Sequence, residues 1–272
     1  MTADVPPAPA ALDVPAFDSH CHLDIMGGGV AEILRGARAV GITRIVTVGI
    51  DVESSKWCAD MSVEHDDVYA TVAIHPNEAP RTAPDAIDAI AKLAALPQVR
   101  AIGETGLDHY RTAEGEWRSQ EDSFRRHIAI ANDTNKALVI HDREAHDDVL
   151  RVLDEEGAPD RTVFHCFSGD AEFARRCADN GYVMSFAGNV TFKNADNLRA
   201  AARVAPLDLL LVETDAPFLT PMPHRGKPNA PYLVPLTLRA LAEVRGDDVD
   251  ELCAAVSATG ERVFGFNKSG LA

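Results

Sequence analysis

The chain lacks the segments that mark exported and membrane-spanning proteins. No apolar run in its 272 residues approaches the roughly 18 residues that a membrane span requires. Residues 1–11 are rich in proline and alanine, but they have neither a basic start nor the continuous apolar stretch of a signal peptide. We therefore expect a flexible leader over residues 1–12, a single domain over residues 13–272, no contact with membranes and a cytoplasmic location.

Cysteines are few, and their spacing matches no metal-binding or redox motif. The chain has five, and none forms a Cys-x-x-Cys pair. This argues against a disulfide framework and predicts buried, reduced thiols. Cys21 and Cys166 adjoin residues that could bind a metal, but strand alternation turns both thiols away from the face of the neighbouring histidines.

Basic residues are also scarce. Lysine and arginine number 26 against 42 aspartates and glutamates, which gives a net charge of −16. Such a charge repels polyanions at long range, which argues against a protein that coats nucleic acid or anionic membranes. An enzyme that acts on phosphates is still compatible, because a metal cluster and a few local basic side chains reverse the field within one pocket. Nothing in the sequence indicates an obligate protein partner.

What the chain does contain is a repeated unit of one short β-branched run followed by a longer segment of helical periodicity. Eight such units predict an α/β fold, a closed (β/α)8 TIM barrel. The predicted strands are 15–22, 44–50, 68–74, 99–104, 137–141, 162–166, 182–187 and 208–214. The predicted helices are 30–40, 54–65, 84–95, 116–134, 145–156, 171–180, 194–203, 233–244 and 248–264.

Residues of metal-ligand type end these predicted strands. His20 and His22 lie two residues apart, so alternation along a strand points both imidazoles to one face. A parallel barrel gathers its catalytic groups at the carboxyl ends of its strands, and that is where the other members of the set stand. These are His75, Glu104, His141, His165 and Asp215.

Imidazoles and carboxylates without thiolates suit Zn, Mn, Fe or Mg with bound water, and the set is large enough for two ions. Two ions would lower the pKa of a bridging water and stabilise attacking and leaving oxygens, which predicts a hydrolase. The alternative is that these residues bind no metal and have separate structural roles. Glu104 would then be a capping residue, His141 a polar strand end and Asp215 a turn former before Pro217.

Seven short segments surround these residues: Phe17–Asp24, Ile74–Pro76, Ile102–Asp108, His141–Arg143, His165–Gly169, Ser185–Gly188 and Val212–Pro217. In order and spacing they resemble the TatD family of metal-dependent deoxyribonucleases, within the amidohydrolase-like barrels. The resemblance runs from residue 17 to about residue 231.

The resemblance implies two divalent ions, either Mg, Mn or Zn. Glu104 would bridge them, and Asp215 would also accept a proton from the metal-activated water unless it serves only as a ligand. Asp108 and Tyr110 follow in the loop after Glu104 and either line the pocket or, for Asp108, form an Asx turn. The implied ligands are His20, His22 and Asp215 for one ion and His141 and His165 for the other.

Four further residues are candidates for contact with substrate phosphates. His75 ends the third strand, although it could simply be hydrogen-bonded beside Pro76. Arg225 and Lys227 belong to a segment that resembles the family's basic loop after strand eight, and Arg143 shares the face of its neighbouring histidine. Solvated surface charge is the alternative for Arg143 and for Lys227.

The leading prediction is a hydrolase that cleaves phosphodiester bonds in DNA, acting like an exonuclease on single-stranded or frayed ends. The first alternative keeps the barrel and metals but hydrolyses a small amide, lactone or phosphoester, because a fold does not fix a substrate. A catalytically inactive scaffold is the second alternative, and metal content separates it from the enzymes.

Overall fold

The computed structural model describes residues 5–83 and 85–266. Eight parallel strands stand in chain order, each hydrogen-bonded to the next. The ring closes where the backbone N–H of Asp215 donates to the carbonyl of His20, at 2.9 Å, and Cys21 bridges to Ala216. The predicted (β/α)8 barrel is therefore confirmed. The strands are β1 (Ala16–Cys21), β2 (Ile42–Val48), β3 (Val68–Val72), β4 (Val99–Asp108), β5 (Ala137–Arg143), β6 (Thr162–Phe164), β7 (Val183–Phe186) and β8 (Leu210–Val212).

Helices alternate with the strands and cover the barrel. Several begin where the sequence supplies an aspartate N-cap. Asp51 accepts one backbone N–H of the first turn, and Asp170 and Asp248 accept two each. None of the helices in the described ranges has the length and apolar character needed to cross a membrane. The α-helices are α1 (Val30–Arg38), α2 (Val52–Glu64), α3 (Ala86–Ala94), α4 (Trp117–Thr134), α5 (His146–Glu156), α6 (Ala171–Asp179), α7 (Asp196–Val204), α8 (Val234–Arg245) and α9 (Val249–Phe264).

The apolar core has two parts. The larger lies between the strands and the helices, and the smaller fills the barrel interior, since all eight strands contribute to it. Phe264 and Phe266 enter this inner cluster, where the Phe266 ring lies 4.9 Å from that of Phe17. The end of the barrel opposite the strand carboxyl termini is thus filled by aromatic side chains.

Irregularities in two strands change which side chains face the barrel interior. In β1 the register shifts between Asp18 and Cys21. Phe17 before the shift belongs to the inner cluster, whereas Cys21 after it belongs to the outer one, although strict alternation would place both residues on one face. The shift thereby lets His20 and His22 face inward. A second shift, between Ile102 and Thr105 in β4, re-aims Glu104.

Most strand ends differ from the sequence prediction by one or two residues, and the largest difference is at the end of β4. β4 continues to Asp108 rather than ending at residue 104, because residues 105–108 pair with β5. β8 ends at Val212 rather than residue 214, because the following segment bonds to β1 through the side chain of Asp18 and through backbone groups.

The predicted leader and one predicted helix end fall partly outside the described residues. Residues 1–4 and residue 84, where a helix was expected to begin, are among them. Within the described part of the leader, the carbonyls of Pro6 and Ala11 accept hydrogen bonds from Tyr232 and Arg239, and Leu12 is buried. The leader's flexibility and the single-domain division stay predictions.

Gly260 in α9 tests the packing of the inner cluster. A methyl group at this position would collide with the rings of Phe17 and Phe266. We expect Gly260→Ala to lower the free energy of unfolding by about 1–3 kcal/mol, since an overpacked core must shift. In α1, a methyl group at Gly36 would have no atom within 4 Å. Gly36→Ala should therefore raise the free energy of unfolding by roughly 0.5–1 kcal/mol. Urea denaturation checks both; equal stabilities for the two variants would contradict this packing.

Candidate metal centre

Glu104 is the centre of a cluster of histidines at the carboxyl ends of the strands. Its carboxylate is buried, with a side chain 5% exposed. Five imidazoles surround it, from strands or loops on both sides of the barrel. The nearest ring nitrogens lie 2.7 Å away for His165, 3.3 Å for His141, 3.6 Å for His22 and 3.9 Å for both His20 and His75.

Three of these rings are oriented by an acceptor on their far side. His22 Nδ1 lies 3.3 Å from the carbonyl of Val48, and His165 Nδ1 lies 3.2 Å from Glu213 Oε1. A carbonyl or carboxylate can only accept, so these nitrogens carry hydrogen and donate it. In the neutral form of either ring, the Nε2 lone pair would then face Glu104. Metal-binding histidines in proteins are oriented in the same way.

His141 is also oriented by an acceptor on its far side, but through Nε2 instead of Nδ1. Its Nε2 lies 3.2 Å from Asp108 Oδ2, and its Nδ1 faces Glu104. Asp108 is itself fixed, because its other oxygen accepts the backbone N–H groups of Tyr110 and Arg111. Asp108 therefore both forms the local turn and orients His141.

His20 is wholly buried and has no hydrogen-bond partner at either ring nitrogen. Burial lowers the pKa of His20 well below its usual value, so the ring is neutral and has a lone pair to offer. Its ring stacks on that of His165 at 3.9 Å between centroids. A buried imidazole without a partner is costly unless something absent from the polypeptide binds it.

Asp215 joins the cluster from the loop after β8. Its Oδ1 lies 3.5 Å from His22 Nε2 and 3.9 Å from His20 Nε2. Asp215 has a φ of 54°, a left-handed conformation that aspartate tolerates better than most residues. The neighbouring Thr214 is held by Asp18, which accepts both its backbone N–H at 2.9 Å and its hydroxyl at 2.5 Å.

These residues fit divalent cations. Lone pairs of several rings converge on a carboxylate, an arrangement that repels itself unless cations or protons lie between the groups. Burial alone would raise the pKa of Glu104, but His165 and the other histidines lower it well below its usual value, so the carboxylate stays charged. Donor atoms of His20, His22 and Glu104 lie within 4.8 Å of one another, a spacing that one ion can occupy.

His75 differs from the other rings. Its Nδ1 accepts the backbone N–H of Asn77 at 3.0 Å, and burial lowers its pKa to about 3. A neutral ring that accepts at Nδ1 carries its hydrogen at Nε2, the atom that faces Glu104. Although His75, Glu104 and His141 are close enough to hold an ion, His75 is oriented as a hydrogen-bond donor.

The basic candidates lie outside this cluster. The Arg143 guanidinium stacks 4.1 Å from the ring centre of Tyr110, and that of Arg225 stacks 4.3 Å from the ring centre of Phe192. Lys227 belongs to a loop that is tied down where its carbonyl accepts the hydroxyl of Thr220. The structure thus brings the six predicted ligands and His75 together. It places Arg143 at the end of β5 and places Arg225 and Lys227 on the loop after β8.

Glu213 and Asp18 are not among the site residues predicted from the sequence. Both are fully buried carboxylates. Glu213 accepts from His165 and from the backbone N–H of Cys166, while Asp18 holds Thr214. A signal was present, since a carboxylate directly after an apolar strand requires a buried partner, but the sequence does not say which partner.

Comparison with known proteins agrees with this geometry. The family model described as TatD related DNase matches residues 17–265. The chain belongs to the TatD family. The metal-dependent hydrolase TatD of Mycobacterium tuberculosis is 43% identical over 91% of this chain and 97% of its own length. The metal-dependent hydrolase YcfH of Escherichia coli is 40% identical over 93% of this chain and 97% of its own length.

Two further proteins, each with TatD in its name or description, extend the comparison. A Citrobacter rodentium protein named 3'-5' ssDNA/RNA exonuclease TatD is 32% identical over 86% of this chain and 91% of its own length. The crystal structure of the Escherichia coli TatD homologue YjjV superimposes with a TM-score of 0.87 at 25% identity, covering 92% of this chain and 98% of that one. This chain is accordingly a metal-dependent hydrolase of the TatD family.

Glu213→Gln tests the orientation of His165. The amide keeps the size of the side chain but removes the charge that holds the Nδ1 hydrogen, so we expect metal affinity to fall about 10- to 100-fold. Competition with a chromophoric chelator measures it. Glu251→Gln, the same change at an exposed position of α9, is the control. Unchanged affinity in Glu213→Gln, with the variant folded, would contradict the proposed role of Glu213.

Proposed function

We propose that this protein is a phosphodiesterase that removes nucleotides from single-stranded or frayed ends of DNA with two divalent ions. The observation that carries the proposal is the buried Glu104 carboxylate among five imidazoles at the open end of the barrel. Glu104 would bridge the ions. The other ligands would be His20, His22 and Asp215 for one ion and His141 and His165 for the other.

Divalent ions, when bound, supply positive charge that acidifies water and stabilises the oxygens of an in-line displacement. The chain's own residues do the rest. Asp215 is the proton acceptor, since its carboxylate is among the cluster yet 15% exposed to solvent. His75 donates its Nε2 hydrogen to a phosphate oxygen. Arg143, Arg225 and Lys227 bind phosphates on either side at the rim.

The choice of DNA ends rests on charge and on a relative. With a net charge of −16, the surface repels a long duplex, so binding depends on the centre and on a few basic side chains. Attack at a recessed site requires the target nucleotide to leave the base stack, which costs less where a strand is already single. The Citrobacter relative's name, an exonuclease on single-stranded DNA and RNA, points to the same substrate class.

We infer a cytoplasmic location and no obligate protein partner. All five cysteines are free thiols, and four of them are buried. Free thiols persist in the reducing cytosol, whereas secreted proteins commonly pair theirs.

Metal dependence and substrate preference can be tested together. Protein stripped with a chelator should be inactive, and reloading with Mg, Mn or Zn should restore cleavage of end-labelled oligonucleotides. We expect single strands to be degraded faster than blunt duplexes, and the rate to fall as salt rises because phosphate contacts are screened. Closed circular single strands are the control, since they offer no end.

Three outcomes would contradict the proposal. Activity that survives chelation would exclude the metal mechanism. Equal rates on linear and closed circular strands would exclude preference for ends. Hydrolysis of a small amide or lactone, without cleavage of any oligonucleotide, would favour the small-molecule alternative.

A further inference from the structure

Two aromatic side chains at the open end of the barrel are exposed where apolar groups usually bury themselves. Phe218 is 52% exposed and Tyr110 is 60% exposed. Each follows a residue of the candidate metal centre within a few positions: Phe218 lies three after Asp215, and Tyr110 lies two after Asp108. Neither has a role in the chemistry proposed above.

Phe218 is fixed in its exposed position. Its backbone N–H donates to the carbonyl of Asp215 at 2.8 Å, and its own carbonyl accepts from the buried side chain of Asn229. Asn229 also donates to the carbonyl of Thr214, so one amide ties both ends of this segment. The Phe218 ring stands edge-on to His22, with 6.0 Å between ring centres. A flat apolar surface therefore stands beside one group of candidate ligands.

Tyr110 stands beside the other group. Its backbone N–H donates to Asp108, whose second oxygen contacts His141. The guanidinium of Arg143 covers one face of the Tyr110 ring at 4.1 Å from its centre. An aromatic face next to a cation is a pairing that binds a base together with its phosphate.

The strand order separates the two rings. Phe218 follows β8, which closes against β1, whereas Tyr110 follows β4, which pairs with β5. In a ring of eight strands, β4 and β8 stand on opposite sides. A nucleic acid strand that ran across the metal centre from Phe218 to Tyr110 would place a phosphate over Glu104 and the histidines.

We propose that Phe218 and Tyr110 are stacking platforms for unpaired nucleobases on the two sides of the scissile phosphate. This inference rests on the proposed nuclease function and names what its substrate must present: a flexible strand with bases free to stack. Aromatic stacking accepts every base, so the platforms give preference for single strands without preference for sequence. A paired duplex cannot offer its base faces to either ring.

Matched oligonucleotides test the platforms. One is a short single strand of thymidines; the other has the same backbone with abasic residues at its two terminal nucleotides at each end. We expect the metal-loaded wild type to favour the first substrate. Phe218→Ala and Tyr110→Ala should each lower kcat/KM on it by about 5- to 100-fold, mainly through KM, and leave the abasic substrate unaffected.

Conservative variants separate stacking from folding. Phe218→Trp and Tyr110→Phe keep a ring and should retain the preference for bases. Val63→Ala, at a position 66% exposed on α2, is the control for loss of an exposed apolar group and should behave as the wild type.

The outcomes distinguish the inference from the function on which it rests. Wild-type protein that cleaves neither oligonucleotide with Mg, Mn or Zn overturns the nuclease proposal and this inference with it. Wild-type protein that cleaves both equally well overturns the inference alone. Alanine variants that keep the full preference for bases, or that lose the same factor on both substrates, also overturn it.

Discussion

The structure depends on one electrostatic constraint, a charged carboxylate buried among five imidazoles. An isolated ion in such a place costs several kcal/mol, so Glu104 requires positive charge close by. Protons supply it in the metal-free chain: although burial lowers the pKa of His165, Glu104 and Glu213 raise it well above its usual value. Divalent ions would supply the same charge. The acceptors behind His22, His141 and His165 favour ions, because they turn a lone pair of each neutral ring toward Glu104.

Register shifts in β1 and β4 bring the histidines and Glu104 together. An undisturbed β1 that buries Phe17 inside would turn His20 and His22 outward, and the register shift after Asp18 reverses them. The shift in β4 does the same for Glu104. The ring closes through Asp18 and the segment after β8, and that closure carries Asp215 to the cluster. The contacts that close the barrel are thus the same ones that bring the candidate ligand Asp215 to the cluster.

Much of this was accessible from the sequence. Apolar runs separated by helical periodicity predict all eight strands, and ligand-type residues after those runs predict the cluster. The register shifts were not accessible, because a bulge depends on how two strands pair. Nor could the sequence show that Glu213 orients His165 and that Asp108 orients His141, because these partners lie 48 and 33 residues apart along the chain. The exposure of Phe218 depends on Asn229, a tertiary contact that no local pattern records.

The most direct test of the central claim is the metal content of Glu104→Ala beside that of His75→Ala. Glu104 lies among the candidate ligands of both ions, whereas His75 is oriented to donate a hydrogen bond. Elemental analysis after loading and gel filtration should find Glu104→Ala depleted of metal and His75→Ala equal to the wild type. Full metal content in Glu104→Ala, together with a lost ion in His75→Ala, would contradict the account.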